Sequence, residues 1–462
     1  MEYREESDSL GMIQVPQHAL YGSQTRRAEL NFPISGWTLP RPFLLALARL
    51  KRGAAVANRD LGRLAPELAD LIVAAADEII AGGHANDFPL DVFQTGSATS
   101  TNMNMNEVIS NRAIQLAGGV VGSKKPIHPN DHVNLGQSSN DLTPTAAHIA
   151  AALEVSDRLL PALERLKLEL SSKIGAFHDA VKIGRTHLQD AVPIRMGQVF
   201  FGFAGQVDGA IRRLEAARDA LHALALGGTA VGTGLNCHPD FPGMVIRDIA
   251  EATGQPFREA ENHFSAQASM DDMAALAATL KTTALALTKI ANDIRFLASG
   301  PRSGLGELRI PSLQPGSSIM PGKVNPVICE ALMQASAFAV SADAGVSYAA
   351  AVLSNFELSV AWPYAAWHTL EAIRVLAVSV DMFANKTVKD LEVDRDRCRD
   401  LCEQSLAMCT SLAPVIGYDR ATAIAKAASE NGTTVREAAR ELSGLSEAEL
   451  NRLLDPATMT GD

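Results

Sequence analysis

Three stretches of about 30 residues carry apolar side chains at helical spacing, and nothing else in the chain limits its fold as strongly. The first runs from Pro144 to Phe177 through Ile149, Leu153, Leu160, Leu163 and Leu166. The second runs from Met196 to Leu226 through Val199, Phe200, Phe203, Val207, Ile211, Leu214 and Leu221. The third runs from Asp271 to Ser299 through Met273, Leu276, Leu280, Leu287, Ile290, Ile294 and Leu297. Steps of three, four and seven residues gather these side chains on one face of a helix. At about 1.5 Å per residue, each helix extends about 45 Å, whereas the average helix has about 12 residues. Helices this long need apolar neighbours along their whole length, so the pattern predicts a mostly all-α chain built on a shared bundle. Two further helical patterns follow, at Val327–Leu353 and Tyr364–Ala384.

Composition narrows the partners. Hydrophobic residues make up 47% of the chain and aromatics only 5%, which suits a core of packed alanine- and leucine-rich helices. The 41 basic and 52 acidic side chains leave a net charge of −11 with no basic run, which disfavours nucleic acid. An anionic substrate would then need a local cationic pocket. The five cysteines, Cys237, Cys329, Cys398, Cys402 and Cys409, form no CxxC pair and no even set, so no disulfide framework is expected. Cys398 and Cys402, one helical turn apart, read as buried thiols rather than metal ligands. The opening "MEYREESDSLGM" lacks an apolar signal segment. No stretch reaches the run of about 18 uninterrupted apolar residues that a membrane span needs. A cytoplasmic protein without a membrane partner is the expectation. The chain divides by pattern into a mixed, mainly helical N-terminal domain at 1–135, a helix-bundle domain at 136–388 and a small helical domain at 389–462.

Between the helices lie polar clusters rich in Ser, Thr, Asn and Gly: "QTGSATSTNMNMNE", "HPNDHVNLGQSSND", "GRTHLQDAVP", "GGTAVGTGLN" and "GSSIMPGKVNP". They hold few carboxylates, unlike a hydrolase built on paired acids. His128 and His132 stand four apart, but the proline and "ND" between them favour a hydrogen-bonding loop over a metal site. Hydroxyls, amides and main-chain N–H groups bind carboxylates without adding charge. In "GSSIMPGKVNP", nearby N–H groups and the positive field of Lys323 could stabilise an alkoxide at Ser317 and so make it a base toward a C–H bond. Asn325 would add a neutral donor. The plainer reading of the same loop is a mobile surface connection. Thr186 and His187 pose the same choice, since a lone histidine is most often structural; a carboxylate such as Glu330 would orient it as an acid or base.

Taken in order, these clusters resemble the fumarase/aspartase superfamily, and most of all its class II fumarases. The likeness extends from "YGSQTRRAELNFPISG" near the start to "IGYDRATAIAKAA" near the end, with "GSSIMPGKVNP" as the family's signature loop. It implies a three-domain subunit whose long central five-helix bundle joins three others in a 20-helix homotetramer core, with each active site shared by three subunits. It implies anti addition or elimination across a C4 dicarboxylate, fumarate to (S)-malate, with no metal or organic cofactor. By position, Ser317 is the base, and Lys323 and Asn325 hold the carboxylate that becomes the aci form. Ser97, Thr99, Ser138, Ser139, Asn140 and Ser318 bind substrate. Thr186 and His187 face the leaving group, with His187 paired to Glu330. A secondary dicarboxylate site falls on His128, Asn130 and Asp131, with Lys125 where arginine is common.

Within the family, "TGSAT" and "QSSND" are fumarase-like, whereas "TSTNMN" leans toward aspartate ammonia-lyases, the second reading. A third is a related lyase acting on a modified C4 dicarboxylate, and a fourth is a catalytically idle scaffold, against which stand the intact Ser317, Lys323, Asn325 and His187. Four positions depart from the family pattern and are expected to lie on bundle helices or binding turns that shape the pocket: Ala98 for glycine, Arg195 for threonine, Val199 for glutamate and Ser359 for asparagine. "FELSVAWPYAAWH" also brings two tryptophans where other side chains are common.

Overall fold

The computed structural model describes residues 2–461, and its elements are mainly helical. A hairpin of β1 (Tyr3–Asp8) and β2 (Gly11–Pro16) opens the chain, followed by α1 (Ser23–Asn31), α2 (Arg41–Asp60), α3 (Pro66–Ile80) and α4 (Thr99–Leu116). Then come α5 (Ser139–Glu154) and α6 (Leu160–Ala176), a second hairpin of β3 (Val181–Thr186) and β4 (Gln189–Arg195), and α7 (Met196–Ala220). The remaining helices are α8 (Phe241–Thr253), α9 (His263–Ala268), α10 (Asp271–Leu297), α11 (Val327–Val352), α12 (Trp362–Phe383), α13 (Arg395–Gln404), α14 (Ala413–Ile416), α15 (Tyr418–Asn431), α16 (Val435–Leu442) and α17 (Glu447–Leu453).

The long periodic stretches are helices, with bounds that differ from the sequence reading. The first begins at Ser139 rather than Pro144 and contains a π-helical turn at Val155–Leu159. The second stops at Ala220, because Ala223–Leu224 leaves the helix to pair with Arg258–Glu259. The third, α10, ends at Leu297.

Contacts gather the chain into two compact units. The first holds the N-terminus to Pro161, Arg212–Thr282 and Ala337–Ala377. Its core includes Phe43, Leu47 and Leu50 of α2, Ile72 of α3, and Met105 and Ile109 of α4, all buried. Helix α1 has no side-chain cap of its own. Glu107, buried in the middle of α4, fills that role. It accepts the N–H groups of Gly22 (2.8 Å), Gln24 (2.9 Å) and Thr25 (3.1 Å) and the Thr25 hydroxyl (2.6 Å). Burial pushes its carboxyl up in pKa while these bonds oppose the rise. Lys51, fully buried on α2, donates to the side-chain oxygens of Asn134 and Gln137, both at 2.9 Å, and so braces the segment before α5.

The second unit holds Ala162–Ile211, Thr283–Ser336 and Val378 to the C-terminus. Leu163, Leu166 and Leu170 of α6 are buried there, as are Phe200, Phe203 and Val207 of α7 and Leu287, Ile290 and Ile294 of α10. The Arg165 guanidinium forks onto Asp381 at 2.7 and 2.8 Å, joining α6 to α12. The Lys289 ammonium lies 4.8 Å from the Phe203 ring, joining α10 to α7. A smaller cluster of Met408, Leu412, Ile424, Val435 and Leu450 forms the core of the C-terminal helices.

Two helices, α10 and α11, are long and apolar enough to span a membrane, with mean hydropathies of 1.2 and 1.3 over their most apolar windows. Charges interrupt both: Lys281, Lys289 and Asp293 on α10, Glu330 and Asp343 on α11. Only 33% of the α11 window is buried within the single chain, so much of its apolar surface is uncovered there.

Candidate functional site

In the second unit, Ser317, Lys323 and Asn325 share one exposed loop between Leu308–Arg309 and α11. The loop is pinched shut at its base. The Gly316 N–H donates to the Lys323 carbonyl at 2.8 Å, and the Asn325 side-chain amide donates to the Gly316 carbonyl at 2.7 Å. A side chain at Gly316 has no room, since a Cβ would stand 2.6 Å from the Lys323 carbonyl oxygen. Inside the turn, Ser317 Oγ accepts the N–H groups of Ile319 (3.2 Å) and Met320 (3.0 Å). Ser317 and Lys323 line the same open cavity of about 480 Å³. Ser318, the next residue, is exposed. Asn325, expected as a substrate donor, spends one amide hydrogen on loop closure and keeps its second.

Thr186 and His187 occupy the tip of the β3–β4 hairpin, which the sequence presents only as a punctuating loop. Thr186 pairs with Gln189, leaving His187 and Leu188 as a two-residue turn. Both have left-handed backbones, φ 56° and 60°. Such turns favour Asn-Gly, because a Cβ at positive φ costs about 1–2 kcal/mol per residue. Strain of this kind collects at functional positions. His187 is exposed, and among the described residues it makes no hydrogen bond or ion pair with Glu330, which sits in the first turn of α11. The expected His187–Glu330 pair is therefore not made within the single chain.

In the first unit, two helix N-termini meet. Thr99 is the first residue of α4 and Ser139 the first of α5, and their hydroxyls lie 2.8 Å apart. The Ser97 hydroxyl extends the chain, 2.8 Å from Thr99 Oγ1. Helix N-termini carry unpaired N–H groups and partial positive charge, so this junction suits an anionic oxygen. Ser138 caps α5, its Oγ accepting the Asn140 N–H at 3.2 Å, which leaves its own proton free to donate. The Asn140 side chain donates to the Ala230 carbonyl at 2.8 Å. Ala98, one of the departures from the family pattern, precedes Thr99 with φ 55°, where glycine would be unstrained.

Asp141 is a residue the sequence reading missed. It is fully buried and accepts the N–H groups of Ser138 (3.2 Å), Gly227 (3.0 Å) and Thr229 (2.9 Å), tying the "GGTAVGTGLN" loop to the start of α5. Burial pushes its carboxyl up in pKa. Its signal was the capping pattern Ser-x-x-Asp from Ser138 to Asp141.

The His128 segment is a capped turn. His128 Nδ1 accepts the N–H groups of Asn130 (3.3 Å) and Asp131 (3.2 Å) at the start of the π-helical turn Pro129–Val133. His132 Nδ1 accepts the His128 N–H at 2.9 Å. Among the described residues, no group of three or more His, Cys, Asp and Glu side chains could hold a metal ion.

Two of the departures lie elsewhere than expected. Ser359 is on no bundle helix: it is buried in a two-residue strand, bonded to the Ser354 hydroxyl and to the Ala268 carbonyl at 3.1 Å. Arg195 ends strand β4 and donates to the His178 carbonyl at 3.0 Å. Val199 lies on α7, as expected. Of the two tryptophans, Trp362 is buried, and Trp367 stacks on Trp37 at 4.6 Å.

Known proteins match the chain along its whole length. A family model described as lyase covers residues 11–341, and one described as fumarase C C-terminus covers residues 408–461. The class II fumarate hydratase of Thermosynechococcus vestitus is 50% identical over 459 residues, 99% of this chain and 98% of its own. That of Halobacterium salinarum is 52% identical, over 99% and 97%. The crystal structure of class II fumarase from Schistosoma mansoni superposes with a TM-score of 0.96 at 40% identity, covering 99% of each chain. A Brucella melitensis structure described as fumarate lyase:delta crystallin, bound to cobalt, gives 0.96 at 41% over the whole of both. The chain belongs to the class II fumarate hydratase family of lyases.

Proposed function

We propose that this protein interconverts fumarate and (S)-malate by reversible anti addition of water, and the seat of the Ser317 hydroxyl carries the reading. A serine becomes a base only where its anion is held. Two preorganised N–H donors, from Ile319 and Met320, already point at Ser317 Oγ, and Lys323 adds positive charge from the same turn. In the malate-to-fumarate direction, Ser317 takes the C3 proton and the electron pair moves into the adjacent carboxylate. Lys323 and the free amide hydrogen of Asn325 stabilise that aci-carboxylate. The C2 hydroxyl then leaves as water, with a proton delivered at the Thr186–His187 tip, where Glu330 orients His187. Thr99, Ser138, Ser139 and Asn140 hold the substrate carboxylates, and His128, Asn130 and Asp131 form the secondary dicarboxylate site. The scheme uses no metal or organic cofactor.

We infer a cytoplasmic homotetramer whose sites each draw on three protomers, with domain breaks near residues 135 and 388. Large apolar side chains left exposed on the long helices support association: Leu168, Phe201, Leu285, Tyr348 and Val378. His187 and Glu330, unpaired with each other among the described residues, fit a site that one chain does not complete.

Purified protein given fumarate without ammonium should lose the double-bond absorbance and accumulate malate. Turnover only when ammonium is supplied would instead identify an aspartate ammonia-lyase, and no turnover with either would reject both. Ser317→Ala should lower kcat by at least about 10²–10⁴-fold, the usual contribution of a general base. Near-normal activity in that variant would remove Ser317 from the base role.

A further inference from the structure

Behind the strained hairpin lies a carboxylate that the chemistry above does not use. The Glu307 side chain is 0% exposed, and Arg185 Nη1 reaches its Oε2 at 2.9 Å. Lys182 Nζ stands 3.5 Å from the same oxygen and donates to the Ile183 carbonyl at 2.5 Å. The other oxygen, Oε1, is buried with no hydrogen-bond partner among the described residues. One carboxylate therefore faces two cations, and both gather on a single oxygen.

The position of this cluster matters more than its charge. Arg185 directly precedes Thr186 and His187. Between Ile183 and Arg185 the strand register slips, so the ladder is interrupted where the tip begins. Gly184 lies in that gap, and a Cβ there would stand 2.6 Å from the Val192 carbonyl oxygen. The tip beyond it has two left-handed residues and an interrupted ladder at its root, so Arg185 is its side-chain anchor. Glu307 is itself fixed: its N–H donates to the Leu297 carbonyl and its carbonyl accepts the Asp394 N–H, both at 2.9 Å. The next two residues, Leu308 and Arg309, pair with Val393 and Glu392, and the Ser317 loop departs directly after them.

We propose that Glu307 is a positioning residue that anchors the Thr186–His187 tip to the root of the Ser317 loop. The proposal rests on the fumarate–malate reading for its kinetic consequence. Buried ion pairs add little net stability but can fix one geometry among several. Here the fixed quantity is the placement of the proton-handling groups. The carboxylate-binding hydroxyls lie in the other compact unit, so substrate affinity should change little.

The test compares Glu307→Gln, Glu307→Asp and the double variant E307Q/K182M with the wild type. A displacement of about 1 Å at reacting groups costs about 10²-fold, so E307Q should lose about that much kcat with KM held within about threefold. E307D should recover part of the kcat. E307Q/K182M, which removes one of the two stranded cations, should recover part of the thermal midpoint without recovering kcat. Amide exchange at 184–191 and 310–326 should quicken in E307Q. A purely structural role predicts that kcat returns together with the midpoint in the double variant, and that result would overturn the proposal. So would an E307Q kcat within about threefold of wild type, or unchanged exchange in both segments. If the wild type itself fails to hydrate fumarate, the functional reading falls, while the exchange measurement still decides the anchoring role.

Discussion

Gly316→Ala is the smallest change that should separate a working Ser317 turn from an idle one. The added Cβ would stand 2.6 Å from the Lys323 carbonyl oxygen and 2.9 Å from the Asn325 nitrogen, where ordinary contacts begin at 3.4 Å. Both neighbours are main-chain atoms, so no side-chain rotation relieves the overlap. The two strands of the loop base must part by about 0.8 Å at the closer contact. That movement weakens the Gly316–Lys323 hydrogen bond and the Asn325–Gly316 hydrogen bond, now 2.8 and 2.7 Å. At about 1 kcal/mol net for each, the closed turn is disfavoured by about 2 kcal/mol. An enzyme whose competent conformation is populated that much less loses about 30-fold in kcat/KM. The loop is exposed, so the global thermal midpoint should stay within about 1 °C. Gly322→Ala makes a graded control: at φ +81° with nothing within 4 Å, it meets backbone strain but no clash. About 1 kcal/mol there should cost about fivefold. Initial rates over a range of fumarate concentrations, with a thermal melt of each variant, supply the test. If G316A stays within threefold of wild type, or loses no more than G322A, the closed turn is not the acting conformation.

Two further outcomes concern the first unit. Glu107→Ala strips four donors of their shared acceptor and should lower unfolding stability by about 3–5 kcal/mol, read as a shifted urea midpoint. E107Q should cost only about 1–2 kcal/mol, because Oε2 takes three of the four bonds and an amide oxygen can keep that place. The side-chain bond from Arg112, helped by His84, holds the Glu78 carboxyl down at about 2, below its ordinary 4.5. A depressed carboxyl contributes stability above its unfolded pKa and loses it as pH falls toward the folded one. The wild type should therefore weaken between about pH 4.5 and 2 more steeply than Glu78→Gln, and equal acid slopes would contradict the pairing.

How far the sequence could be read depended on the range of the forces involved. Helix α10 was legible because its apolar residues return every three or four positions, and the observed helix occupies Asp271–Leu297. The π-helical turn at Val155–Leu159 was not, since the apolar pattern continues through it. The β3–β4 hairpin stayed hidden because His-Leu carries no turn signal, and its left-handed pair is imposed by the strands on either side. The donors around Ser317 lie two and three residues away and could be anticipated. The Glu107 bonds bridge more than 80 residues, and no local pattern announces them. Asn325 shows the limit of reading roles from residue type: a free donor in the sequence, it is half committed to closing its own loop.

The three hydroxyls of Ser97, Thr99 and Ser139 form a row with two links and three hydrogens. Two hydrogens complete the links, so one is always left over, and it can emerge at either end depending on which way the row is polarised. An incoming carboxylate oxygen at one end therefore aligns every O–H behind it, and a departing one lets the row reverse. Such a junction adjusts to the charge of its guest by turning protons in place, with no movement of the backbone.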